Sequence, residues 1–133
     1  MRKSREVDMI KIAIIAAVGA IALAAASAAK DAYIDPVAVA PEIYSTKLEN
    51  DYVRTILTTA RPGEWTPMHS HPGRVAVFLN DCVDRRANDK GEIVERKFAA
   101  GDAVWAPAET HGDFNYAFVA ECRIIEVEVK AAK

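Results

Sequence analysis

A chain of 133 residues with a net charge of −2 at pH 7 suits a single domain. Its 51% apolar and 27% charged residues are ordinary for a globular protein. Lysines and arginines are scattered, with no basic face and no aromatic ladder, which speaks against a nucleic-acid partner.

In chain order, Arg2, Lys3, Arg5 and Lys11 precede an apolar run over 12–26 that closes on Ala26-Ser27-Ala28. A basic start, an apolar middle and small residues at the end predict a helical secretory signal peptide over 1–28, removed after Ala28. The run of about 15 residues falls short of the ~20 that span a bilayer. An uncleaved anchor and a buried core helix are the alternatives. Glu6 and Asp8 dilute the basic start. Cleavage leaves 29–133 as one domain with a net charge of −4. The product is expected to be exported, to a bacterial periplasm, with no stable membrane insertion. There, the even pair Cys82 and Cys122 either forms a disulfide or stays as two half-buried strand residues that never meet; spacing does not choose.

Beyond residue 30 strand signals dominate. The segment 35–48 holds Pro36 and Pro41 and reads as an arm or edge strand. Residues 52–59 are rich in β-branched side chains and predict a strand. A turn follows at 61–64. A run over 75–85 starts apolar and becomes polar. Asn88-Asp89-Lys90-Gly91 is a hairpin turn with its return strand at 92–99. A turn at 100–102 precedes a short strand at 103–106 that stops at Pro107. Strands at 114–119 and 121–130 complete the set. In the last, Ile125, Val127 and Val129 alternate with Ile124, Glu126 and Glu128, which predicts one face in and the other mostly out. Short strands at roughly ten-residue intervals predict an all-β sandwich or barrel.

The chain has three histidines, His69, His71 and His111. On a strand, positions i and i+2 share a face, so His69 and His71 lean towards one point. Imidazole is a common ligand for divalent transition metals. A third ligand from a remote strand is how a barrel builds a metal site in its interior.

Here the sequence resembles the cupin superfamily. Gly63 leads through five residues to His69-Ser70-His71, as in the first cupin motif. Gly101, Pro107, His111 and Asn115 follow the pattern of the second. The motifs lie at about 63–80 and 101–115, and they use every histidine in the chain. The resemblance implies a double-stranded β-helix, or jelly roll. It also implies a divalent metal (Fe, Mn, Ni or Zn) held by His69, His71 and His111. Two departures stand out. The glutamate that often follows the second histidine is absent, with Val75 and Ala76 in its place. The step from Pro107 to His111 is one residue short, with Glu109 where a glycine is usual.

Glu109 is the leading replacement carboxylate. On an extended segment it points the same way as His111, as a fourth ligand, a catalytic base or a partner that holds an imidazole. Its other reading is a solvated loop residue. Glu64 and Asp113 are weaker candidates. Phe78, Trp105 and Phe114 are the pocket candidates, against a plain core role for each. Arg74, just after the first motif, reads as solvated, with a role in meeting an anion as the alternative; Met68 reads as facing away from His69, and Asn115 as structural. Gly63 and Gly101 are expected at turns with positive φ.

Together these features predict an exported small cupin with a three-histidine metal site that acts on or binds a small molecule, with dioxygenase or isomerase chemistry as the enzymatic form. The alternatives are a binding protein without turnover and a metal-free interaction module. A homodimer is expected, with the 35–48 arm supplying the contact.

Overall fold

The computed structural model describes residues 32–113 and 116–131. The signal-peptide segment, Phe114 and Asn115 lie outside the described residues.

Asp35 opens the fold by capping a single-turn helix, α1 (Pro36–Val39), with its carboxylate on the Val37 N–H at 2.9 Å. The proline-bearing arm continues into β1 (Tyr44–Glu49), the edge strand of a five-stranded antiparallel sheet. Its neighbours in order are β2 (Val53–Ala60), β10 (Cys122–Val129), β4 (Arg74–Phe78) and β7 (Ala103–Ala106). A second sheet holds β6 (Ile93–Phe98), β5 (Cys82–Ala87) and β9 (Tyr116–Phe118). The pair β3 (His69–His71) and β8 (Glu109–His111) forms a third. Side chains from all three sheets line one interior cavity, so the all-β barrel expected from the strand pattern is present.

The run 75–85 is two strands rather than one. It bends after Phe78, and β4 and β5 belong to different sheets. The predicted hairpin is formed: the Asn88 side chain accepts from the Lys90 and Glu92 N–H groups and closes the turn between β5 and β6. Gly63 and Gly101 have φ of 83° and 90°, as expected.

The faces of β10 are the reverse of the sequence expectation. Cys122, Ile124, Glu126 and Glu128 are buried, while Ile125 and Val127 lie on the other face and Val129 is exposed. In register, Glu126 stands beside Ile56 and Ala76, both buried on the same side. Apolar residues usually mark the inward face of a strand. Here the inward face carries acids because they meet buried partners inside. Cys82 and Cys122 form a disulfide that ties β5 to β10 across the barrel, with a Cα separation of 4.9 Å.

Candidate metal centre

The β3–β8 pairing places His69 directly opposite His111 and His71 directly opposite Glu109. Ring centroids of the three histidines lie 4.5 to 5.4 Å apart. One nitrogen from each falls within 4.8 Å of the others. A first-row metal at about 2.1 Å from each nitrogen keeps its donors within about 4.2 Å, so binding would draw the rings slightly together.

Hydrogen bonds decide which nitrogens face inward. His69 Nδ1 lies 2.7 Å from the Pro67 carbonyl, which can only accept, so Nδ1 carries the proton and Nε2 keeps its lone pair. His71 Nδ1 donates to Glu128 Oε1 at 2.7 Å, which frees its Nε2 in the same way. His111 is half-buried, but both of its ring nitrogens are buried and neither is hydrogen-bonded. An unpaired buried imidazole is costly, and a metal ligated by one nitrogen relieves part of that cost. The donor set therefore fits a divalent transition metal. Burial holds the His69 pKa below its ordinary value and that of His111 down to about 3, so both stay neutral, as ligands must. Tyr44, from the edge strand, brings its hydroxyl to 3.2 Å from His69 Nε2, and burial raises its pKa.

Gly112, next to His111, has φ 127°. A side chain there would fall on the Pro67 carbonyl oxygen, so only glycine fits this approach.

The barrel is similar to solved structures. A cupin domain from Bordetella pertussis superposes with a TM-score of 0.56 at 22% identity, covering 67% of this chain and 93% of that one. A conserved protein of unknown function from Streptococcus pyogenes superposes at 0.50 with 15% identity, covering 79% of this chain and all of that one. This is the cupin fold. No family model matches the sequence, and no curated protein aligns with it. In this cupin barrel the three histidines are positioned to hold a metal ion.

The other predicted residues divide. Phe78 is buried, lines the interior cavity and stacks on Phe98 with centroids 4.0 Å apart. Trp105 is not a pocket residue. It is 62% exposed, sits opposite Val75 on the outer face, and lies against Gly73. Its neighbours Val104 and Ala106 face the cavity instead, as the two-residue period of a strand requires. Met68 is exposed at the mouth, in the wall of a pocket that also reaches His111.

Glu109 does extend alongside His111, with Oε1 3.7 Å from His111 Nδ1. Its oxygens, however, are taken by Arg74 Nη2 at 2.9 Å and Arg86 Nη2 at 2.8 Å. Burial pushes its pKa up, but Arg86, His111 and Arg74 outweigh burial and hold it down at about 2. A carboxylate so held is a poor proton acceptor at neutral pH.

Arg74 is not solvated. It is 5% exposed and also donates from Nε to Glu126 Oε2 at 2.5 Å. Glu126 accepts from the Thr58 hydroxyl at 2.7 Å as well. Burial pushes its pKa up, but His71, Arg74 and Thr58 hold it below the usual carboxylate value. Glu126 stands in register with Ala76, one of the two positions where the usual glutamate is missing. A carboxylate thus enters this neighbourhood from the adjacent strand, bonded to Arg74 and 3.9 Å from His71 Nδ1. Glu126, Glu128 and Tyr44 are missed as site residues by the sequence reading, which favours a solvated Arg74 over one that meets an anion. Strand parity was the available signal: Arg74 shares a face with Phe78, and both acids share one with Cys122.

Proposed function

We propose that this chain is an exported cupin that holds a divalent transition metal (Fe, Mn, Ni or Zn) at His69, His71 and His111 and presents it to a small molecule. The observation that carries the reading is the convergence of three imidazoles, two with their outer nitrogens fixed and the third with both nitrogens unpaired. A divalent ion bound there supplies Lewis acidity and, for iron, redox chemistry of the oxygenase kind. The residues of the chain orient and exclude. Pro67 and Glu128 fix two rings, the buried walls limit water, and the Tyr44 hydroxyl offers a proton donor at the cluster. Glu109 serves as the counter-ion of two arginines rather than as the base.

The Cys82–Cys122 disulfide supports an oxidising compartment and hence export to the periplasm. A homodimer formed through the proline-bearing arm is part of the same proposal, with Leu48 exposed on the β1 edge strand that follows the arm.

Metal analysis of protein purified without chelator tests the reading. Stoichiometric metal is expected, and its loss in His71→Ala. Protein that stays metal-free after reconstitution with Fe(II), Mn(II), Ni(II) and Zn(II) would overturn it.

A further inference from the structure

We propose that the barrel interior beside the histidines binds the carboxylate of a short-chain acid, through Arg74 Nη1 together with Arg86. Arg74 spends two of its three nitrogens on Glu126 and Glu109, while its third, Nη1, is buried without a partner. A charged donor left unpaired in the interior is a standing cost that packing does not explain. Arg74 lines a cavity of about 50 Å³, together with Arg86, Glu109, His111 and Tyr116. Glu109 accepts from both arginines, one on each oxygen, and so holds the two guanidinium groups as a fixed pair. Paired guanidinium donors suit a planar carboxylate.

Size and charge narrow the ligand. The inner cavity has room for a carboxylate head and little else. A mouth pocket of about 240 Å³, with Met68 and Thr110 in its wall, shares Arg86, His111 and Tyr116 with the inner cavity. A tail of a few carbons belongs there. Three arginines (Arg74, Arg86, Arg96) line the inner cavity against three acids (Asp84, Glu109, Glu126), and Glu128 adds a fourth acid behind His71. A divalent ion on three neutral imidazoles leaves this interior one positive charge in excess. One carboxylate cancels it, whereas a phosphate dianion overshoots. The full affinity therefore rests on the metal reading above, while the arginine pair acts without it.

Titration calorimetry of metal-free and Zn(II)-loaded protein with butanoate, butanamide and inorganic phosphate tests this. Saturable binding of butanoate is expected with zinc and a much weaker binding through the arginine pair without it, since the same count leaves the metal-free interior one negative charge in excess, with neither butanamide nor phosphate competing. Arg86→Gln, at a partly exposed site, and Arg74→Lys should each weaken butanoate by about 10- to 100-fold, with zinc content unchanged. If Arg74→Lys does not fold, Arg86→Gln decides. Zinc binding without saturable butanoate binding overturns this inference and leaves the metal reading standing. Butanoate binding without zinc binding does the reverse. Equal binding of butanoate and butanamide, or an unchanged butanoate affinity in the folded variants, assigns Arg74 Nη1 to buried water and overturns the inference.

Discussion

The two ends of the barrel interior are built from the same strands by opposite rules. Along the inner face of β10, Cys122 and Ile124 give way to Glu126 and Glu128. Along β4, Phe78 and Ala76 give way to Arg74, and along β5, Cys82 gives way to Asp84 and Arg86. One end is closed by the disulfide and by Phe78, Phe98 and Phe118. The other holds the histidines and a network of paired charges. Apolar burial stabilises the first without needing partners. The second is tolerable only because nearly every buried charge is paired. The dry end therefore carries stability, and the charged end carries the candidate metal site at a cost in stability.

Removing the disulfide should give the largest separation of the two. It closes a loop between cysteines 40 residues apart, which the chain-entropy account values at about 4 kcal/mol. Cys82→Ala with Cys122→Ala should lower unfolding stability by about that amount in urea, and the remaining folded protein should keep its zinc affinity. A parallel loss of affinity would break the division between the ends.

Glu128→Gln probes the charged end. The amide oxygen still accepts from His71 Nδ1, but the negative charge behind the ligand is gone. Zinc affinity should fall towards the lower end of about 10- to 100-fold, measured by chelator competition, with little change in the urea midpoint. An unchanged affinity would reduce Glu128 to a packing role.

Acid should act through the charged end with the smallest effect. In the metal-free protein, burial holds His69 and His111 below the ordinary imidazole range, His111 at about 3. Their unfolded counterparts take up protons below about pH 6.5. Over that window the unfolded state binds more protons, so the contribution is complete above about pH 6.5 and is lost as pH falls towards 3. The urea midpoint should drop steadily between about pH 7 and 4, and zinc should raise the midpoint without removing the slope, because metal-bound imidazoles take up no protons while the unfolded ones still do. A flat profile without zinc would contradict the burial of the triad.

Much of this was legible in the sequence. The histidine triad could be read because the chain has three histidines and both glycine-led spacings around them, and the strands follow their turns. The polarity of the interior was not legible. Reading apolar as inward turned β10 over and sent Glu126 and Glu128 outside, because the partners that make buried acids tolerable, Thr58, His71 and Arg74, lie 52 to 68 residues away in the chain. Trp105 failed for a related reason: an aromatic looks like core, but Val104 and Ala106 hold the inward positions of β7. The clamp on Glu109 depends on two arginines from two other strands, and no local pattern announces it.

The Pro67 carbonyl oxygen does two jobs at once. It accepts from His69 Nδ1, and it is the atom that forbids a side chain at Gly112, next to His111. A backbone hydrogen bond from Asp113 N–H to the Thr66 carbonyl, at 2.6 Å, fastens the same two segments. The main chain thus acts as a ruler between ligands that stand forty residues apart in sequence. A site gauged by its own backbone has its ligand spacing set by the fold itself, so an ion held there would ask only a small closing movement of the rings.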